Sequence, residues 1–379
     1  MKKTVNRCIK LLSLLLAVGI SLGVLQEFIL CNSDHNRERV KGFYLEEDNS
    51  IDVVFIGASE AYSDFAPGYA YDNYGFTSYL YATQSSSILT CKYQLKEVLK
   101  TQKPKLIVIE LNSAVYGSDV RVVKEANVRH YIDNIPLSSD KFEFVHNYAP
   151  TDEWEYMFPI LKYHEVWKNI PENTGLMGTI IADRLRGSNF LKGIKNETKV
   201  YTPKQKLMND ALKNKNTKAP LTKLSENTLR DLLSFCKANN LDNVVFARFP
   251  HAVVKKTVSR FSRSNTVAEI VSEYGYDYLN FEKNYLQAGI NLTKDFFNMD
   301  HLNIYGQRKF TDFFSKLLTQ RYGLKKSRLS PELKKSWEAS AKYYNAYYRY
   351  SDSLIKRGID VELDEGIINN EEFKKYLTS

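Results

Sequence analysis

Two short runs constrain this chain more than anything else in it. Ile51-Asp52-Val53-Val54-Phe55-Ile56 and Lys105-Leu106-Ile107-Val108-Ile109-Glu110-Leu111 are almost wholly apolar and have the length of strands. Runs with so little alternation suit strands buried on both faces. Between them, Ser87 to Thr101 carries Ile88, Leu89, Tyr93, Leu95, Val98 and Leu99 at near-helical spacing and stops before Lys103-Pro104. Strand, helix, strand with short links predicts a parallel sheet with crossover helices, an α/β fold. Asn243–Phe249 reads as a third strand broken by Pro250, and Tyr276–Phe281 as a short further one. Helices are expected from Ser225, as N-cap, through Asn240, from Ser264 to Tyr274, and from Gly306 to Tyr322.

The ends and the middle read differently. Lys2, Lys3, Arg7 and Lys10 precede an apolar stretch from Leu11 to Leu25 that Phe28-Ile29-Leu30 extends toward the roughly 20 residues of a membrane span. No convincing small-residue cleavage site follows. The reading is an uncleaved signal-anchor over residues 1–31, basic end in the cytoplasm and the rest outside; a cleaved signal and a secreted chain is the alternative. Residues 32–50 are polar and read as a stalk, and 51–325 as the α/β domain. An aromatic-rich, mostly helical insertion spans about 120–223, serving either as a cap over the site or as a partner-binding face. Its Lys/Asn-rich part, 187–223, reads as a mobile loop. Residues 326–379 form a helical tail opening at Ser330-Pro331-Glu332, with a stripe of Tyr343, Tyr344, Tyr347, Tyr348 and Tyr350. That stripe suits a helix face packed on the body, or else a partner or sugar surface.

Composition removes several classes. The net charge of +9 comes from 53 basic and 44 acidic residues that are interspersed, without the basic block that favours nucleic acid. The four cysteines, Cys8, Cys31, Cys91 and Cys236, form no CxxC pair, so zinc and redox motifs have no support. Cys91 and Cys236 sit in helix-like patterns as small core residues. No metal or organic cofactor is signalled.

Chemistry concentrates at two places. The first strand ends in Gly57-Ala58-Ser59-Glu60, which puts a serine where open α/β sheets hold their ligand crevices. Ser59 is either a nucleophile or merely a helix N-cap with Glu60 exposed beside it. Far along the chain, Asn298-Met299-Asp300-His301-Leu302-Asn303 with Gly306 sets a histidine in a polar turn before a helix. A base must reach the serine hydroxyl within hydrogen-bond distance, whatever the sequence separation. His251 and Arg248, at the end of the third strand, are candidates for touching substrate in the same crevice. His164, in an aromatic helix-like segment, reads as a packed histidine.

Gly57-Ala58-Ser59, Asn112 after the second strand and His301 in its Asp-His-Leu-Asn turn resemble the SGNH/GDSL hydrolase superfamily. More narrowly, the chain resembles its bacterial membrane-anchored DltD-like members, over most of residues 50–320. Phe158–Trp167 is similar to a recurring middle segment of such proteins. The resemblance implies a three-layer α/β/α, flavodoxin-like fold with Ser59 as nucleophile and His301 as base. It implies oxyanion donors at the Ser59 N–H, at Asn112 and at a second-block glycine. No glycine occurs in Tyr81–Ser86, which leaves the N–H of Thr83, Gln84 or Ser85 for that role. The aspartate expected three residues before the histidine is Asn298 here, so Asn298, Asp300 or Asp295 would orient His301, or a backbone carbonyl would. In a serine-protease triad, that exchange lowers turnover about 10⁴-fold. The implied activity is ester hydrolysis or O-acyl transfer on an acylated cell-surface polysaccharide or polymer, beside a membrane-bound O-acyltransferase. The competing expectation is a catalytically impaired scaffold or assembly protein of the cell envelope.

Overall fold

The structure is a computed structural model that describes residues 2–29, 35–149, 153–163, 165 and 189–378. Helix α1 (Lys2–Ile29) contains a stretch, Thr4–Gln26, long and apolar enough to cross a membrane, and none of it is buried against the body. Length and composition of this kind serve a membrane anchor or a signal sequence.

The expected stalk is instead a packed helix, α2 (His35–Phe43). Asn36, Arg37, Arg39, Val40 and Phe43 are all buried. The polar residues bury because they find partners. Arg39 donates to the Ala82 carbonyl at 3.0 Å with its guanidinium 3.8 Å from the centre of the Tyr62 ring, and the Phe43 ring packs between Tyr79 and Tyr81.

The sheet has five parallel strands. After β1 (Val53–Gly57) come α3 (Ser59–Asp64), α4 (Pro67–Tyr74), β2 (Ser78–Ala82), α5 (Ile88–Thr101) and β3 (Leu106–Glu110). The helical insertion supplies α6 (Asp119–Val122), α7 (Glu125–Ile132), α8 (Ser139–Tyr148) and α9 (Glu153–Met157). His164 and Trp167 lie outside the described residues. The later part of the insertion holds β4 (Asn196–Glu197) and α10 (Asn209–Leu212), and after it come α11 (Lys223–Ala238), β5 (Val244–Arg248), α12 (Val258–Glu273), β6 (Asp277–Asn280), α13 (Phe281–Asn284) and α14 (Ile304–Arg321). The chain ends with α15 (Pro331–Lys356), β7 (Glu362–Leu363) and α16 (Glu371–Thr378). Strand order is β2-β1-β3-β5-β6, while β4 and β7 form a separate antiparallel pair.

Side chains alternate across the strands, as a period of two requires. Val54, Ile56, Ile107, Ile109 and Phe246 enter one hydrophobic cluster, which also holds Cys91 and Cys236. Val53, Phe55, Val108 and Ala247 enter another, with Phe310 and Phe314 of α14. Strand β2 was not expected: it is five residues of Ser, Tyr, Leu, Tyr and Ala, without the aliphatic run that marks β1 and β3. Helix α11 starts earlier than expected because Thr222, not Ser225, is the cap, accepting from the Ser225 N–H at 3.2 Å. Helix α12 likewise begins at Val258, ahead of Ser264.

The part of the Lys/Asn-rich segment expected to be mobile is, over residues 189–199, built into the body. Lys192 is fully buried and bonds both oxygens of Glu46, at 2.8 and 2.9 Å. Glu365 accepts the Phe190 and Leu191 N–H groups, both at 2.7 Å.

The tail is equally integral. Tyr344, Tyr347, Tyr350 and Leu354 of α15 join the same cluster as Val53 and Phe55, and Ser330 caps the helix as expected. Tyr347 is fully buried and its hydroxyl donates to the Leu363 carbonyl at 3.0 Å. Tyr347→Ala should therefore cost about 3–5 kcal/mol, as for a large core aromatic, measured by urea denaturation of the whole chain. A tail that folded apart from the sheet would leave the main transition unmoved.

Candidate functional site

In this strand order the chain runs from β1 outward to β2, then returns to the other side of β1 with β3. The carboxyl ends of β1 and β3 thus form a topological switch point, the usual crevice of open α/β sheets. Ser59 opens α3 just past β1, and Asn112 follows β3. Gly57 is required there. Its φ is +146°, and a Cβ on it would meet the Glu110 carbonyl oxygen at 2.8 Å.

The segment carrying His301 is clamped at both ends. Phe296 and Leu302 bridge in antiparallel fashion, and the Asn303 N–H donates to the Asp295 carbonyl at 2.9 Å. Asn303 is fully buried and caps α14, accepting from the Tyr305 and Gly306 N–H groups. Gly306 has to be glycine because a Cβ would collide with the Asp295 carbonyl. Asp64 of α3 accepts the Leu302 N–H at 2.9 Å, which ties this loop to the helix that begins with Ser59.

These clamps bring the two distant residues together. His301 Nε2 lies 2.7 Å from Ser59 Oγ, and His301 Nδ1 lies 2.9 Å from Asn298 Oδ1. Asn298 Oδ1 also accepts the Asp300 N–H at 2.9 Å, which identifies that atom as the oxygen. Nδ1 must then carry the proton, leaving the Nε2 lone pair for the serine hydroxyl. Phe297 stacks on the imidazole, with ring centres 5.2 Å apart and planes within 7°. Burial lowers the His301 pKa below its ordinary value, against the opposing pull of Glu60 and Asp300.

The other candidates for orienting His301 are engaged elsewhere. Asp300 pairs with Arg260 at 3.3 Å. Asp295 binds Lys309 at 2.7 Å and accepts the Asn291 N–H at 2.6 Å.

Beneath the serine lies a cluster that sequence reasoning missed. Glu60, which the N-cap reading of Ser59 left exposed, is only 1% exposed. Its Oε2 is 3.3 Å from Ser59 Oγ, while its Oε1 accepts from Asn112 Nδ2 and lies 3.2 Å from His251 Nε2. His251 Nδ1 faces the Phe249 carbonyl at 2.7 Å, so both ring nitrogens meet oxygens. Arg248 donates to Asn112 Oδ1 and, at 2.9 Å, to Glu282 Oε1. Burial works against ionisation of Glu60, but the hydrogen bond from His251 and the positive charge of Arg248 prevail and hold its carboxyl below the usual carboxylate range. Glu110 goes the other way: burial, then the Glu60 charge, push it well above the usual carboxylate range. Asp64 is raised well above that range by burial too.

Several expectations are thereby corrected. Arg248 and His251 are buried partners of this cluster, not groups facing a substrate. The Thr83 N–H donates to the Gly57 carbonyl at 3.3 Å and the Gln84 N–H to Asn36 Oδ1 at 2.6 Å, so neither is left for an oxyanion. Ser59, as the first residue of α3, has no intrahelical acceptor for its own N–H, and the Asn112 amide has a second hydrogen beyond the one given to Glu60. The only signal that could have pointed to Glu60 was its position, one residue beyond a serine at a buried strand end. Among the described residues, no group of three or more His, Cys, Asp or Glu is arranged to hold a metal ion.

The raised Glu110 carboxyl has a consequence for stability. Folding keeps its proton on, whereas the unfolded chain releases it above about pH 4.3. Stability is therefore lost as pH rises above that value, and Glu110→Gln should remove the loss. Thermal melts should show the variant gaining several degrees over wild type at about pH 8 and little at about pH 4. An equal shift at both would mean that the carboxyl does not titrate in this way. No protein-family model matches this chain, and neither curated proteins nor solved structures show significant similarity to it.

Proposed function

We propose that the protein is a membrane-anchored SGNH-type serine esterase or O-acyltransferase, with its sheet sandwiched in three α/β/α layers and its catalytic body outside the cytoplasmic membrane. The observation that carries this reading is the 2.7 Å contact between Ser59 Oγ and the unprotonated Nε2 of His301. In the proposed reaction, Nε2 takes the serine proton as Oγ attacks the ester carbonyl. The proton then passes to the departing alcohol, leaving an acyl group on Ser59. Water or an acceptor hydroxyl gives its proton to Nε2 as its oxygen takes the acyl group, the bond from the acyl carbon to Ser59 Oγ breaks, and Nε2 returns the proton to Oγ, restoring the enzyme. The Ser59 N–H and the free Asn112 amide hydrogen are the donors for the oxyanion. The substrate class is an acyl ester of a cell-surface polysaccharide or polymer, with a membrane-bound O-acyltransferase as partner.

Asn298 holds the tautomer but brings no charge to the imidazolium. In this reading the charge comes from the other side, from Glu60, whose Oε2 lies 3.3 Å from the serine oxygen. The family position for the acid and the acid itself are then separated. Glu60 acts as a positioning residue for the pair.

A second reading, a non-catalytic scaffold of the cell envelope, is favoured by the occupied Thr83 and Gln84 N–H groups and by the hydrogen bond that Asn112 already gives Glu60. A fluorophosphonate probe separates the two. Wild type should label, Ser59→Ala should not, and His301→Ala should label at least about 100-fold more slowly; equal labelling of wild type and Ser59→Ala would sink the esterase reading.

The labelling rate should also follow His301. The base works only when neutral, and its pKa lies below the ordinary value near 6.5, so the rate should hold through neutral pH and fall below about 6.5. Glu60→Gln removes a charge that favours the imidazolium, so it should slow labelling and move this acid limb to lower pH. Adding Asn298→Asp to Glu60→Gln should recover much of the rate. If Glu60→Gln labels as fast as wild type with an unmoved limb, the charge does not come from Glu60.

A further inference from the structure

The helical insertion carries large apolar side chains on its surface in a connected run. Trp154 is 68% exposed, Phe142 56% and Leu161 49%. The Trp154 and Phe158 rings stack with centres 6.0 Å apart and planes within 13°. The Phe142 ring stacks on His146, which in turn bonds Glu153, the residue before Trp154, at 3.2 Å. The Leu161 N–H donates to the Phe158 carbonyl at 2.9 Å, closing the run onto the turn Pro159–Leu161. Aromatic and aliphatic groups of this size, shown together to solvent, mark a surface that meets an apolar phase.

What that phase is follows from the neighbour of the patch. The turn Pro159–Leu161 lies against α1. The apolar stretch of α1 is exposed along its length, and exposure first falls at Gln26, at the end of the span. A contact made at that end of α1 sits where a membrane-crossing α1 would leave the hydrocarbon. That level is the interface, where tryptophan and other amphipathic rings are most favourable. The polar groups among the rings, His146, Glu153 and the half-exposed Lys162, suit headgroup depth rather than the acyl core.

We propose that Phe142, Trp154, Phe158 and Leu161 form a bilayer-contacting face, so that the body of the protein lies against the membrane that α1 crosses. This face is independent of the chemistry at Ser59; it requires only that α1 is retained as a span. Anchor and face together hold the body in one orientation, where α1 alone would leave it free to tumble on the membrane.

The test uses the full chain in lipid nanodiscs with phosphatidylcholine brominated near the headgroup end of its acyl chains. Part of the tryptophan emission should be quenched by the brominated lipid, and that part should be absent from Trp154→Phe. A Phe158→Asp, Leu161→Asp double variant should lose most of the Trp154-dependent quenching, and its circular dichroism should match wild type because both side chains are partly or largely solvent-facing. Equal lipid quenching of wild type and Trp154→Phe would overturn the proposal. So would a Trp154 component open to aqueous acrylamide but not to lipid, or one shielded from both, which would mean that a protein surface covers the face. A chain that does not enter nanodiscs would overturn it through the loss of the span.

Discussion

Beneath the strand ends, charged and polar groups from four separate parts of the chain share one dry space, and the site depends on their meeting. Glu60 comes from α3, Asn112 from beyond β3, Arg248 from the end of β5, and Glu282 from α13. Each is costly to bury alone, and removing one partner of a buried pair strands the other. The cluster is consistent only if β1, β3 and β5 hold their register and α13 closes over the end of β5. Placement of Ser59 follows from this, since the serine is adjacent to the carboxylate that Asn112 and His251 hold.

The opposite wall is set by backbone, not charge. The loop bearing His301 is bridged across Phe296 and Leu302, capped by Asn303 and tied to α3 through Asp64. The imidazole is therefore held by Asn298 on one nitrogen and by Phe297 on its face before anything binds. Preorganisation of this kind brings the serine and histidine into contact without a substrate to draw them together.

Much of this was legible in the residues. Strands β1 and β3 announced themselves because aliphatic runs buried on both faces have few other solutions. Gly57-Ala58-Ser59 and the Asp-His-Leu-Asn turn pointed to one shared crevice, where Ser59 and His301 do meet, because glycine, cap and turn residues are needed there for backbone reasons. What stayed hidden was burial of polar side chains. Residues 35–46 and 189–199 look like exposed linkers because Arg39, Glu46 and Lys192 are charged, yet each finds its partner across the fold. Pairing at sequence separations above a hundred, such as Lys192 with Glu46, leaves no local pattern. For the same reason Glu60 passed for a surface residue and Arg248 and His251 for substrate contacts. Which of Asn298, Asp300 and Asp295 faces His301 depended on turn geometry that composition does not encode.

The tail helix α15 closes the cluster that contains Val53 and Phe55, and β7 pairs with β4 from the middle of the chain. Synthesis runs from the amino end, so α4 and β4 are made long before the elements that pack on them. Until Tyr344 and Leu363 emerge, Tyr69 lacks the ring it packs against and β4 lacks the strand that pairs with it. The nascent chain thus carries uncovered apolar surface until those residues arrive, and any factor that shields it has to remain until then.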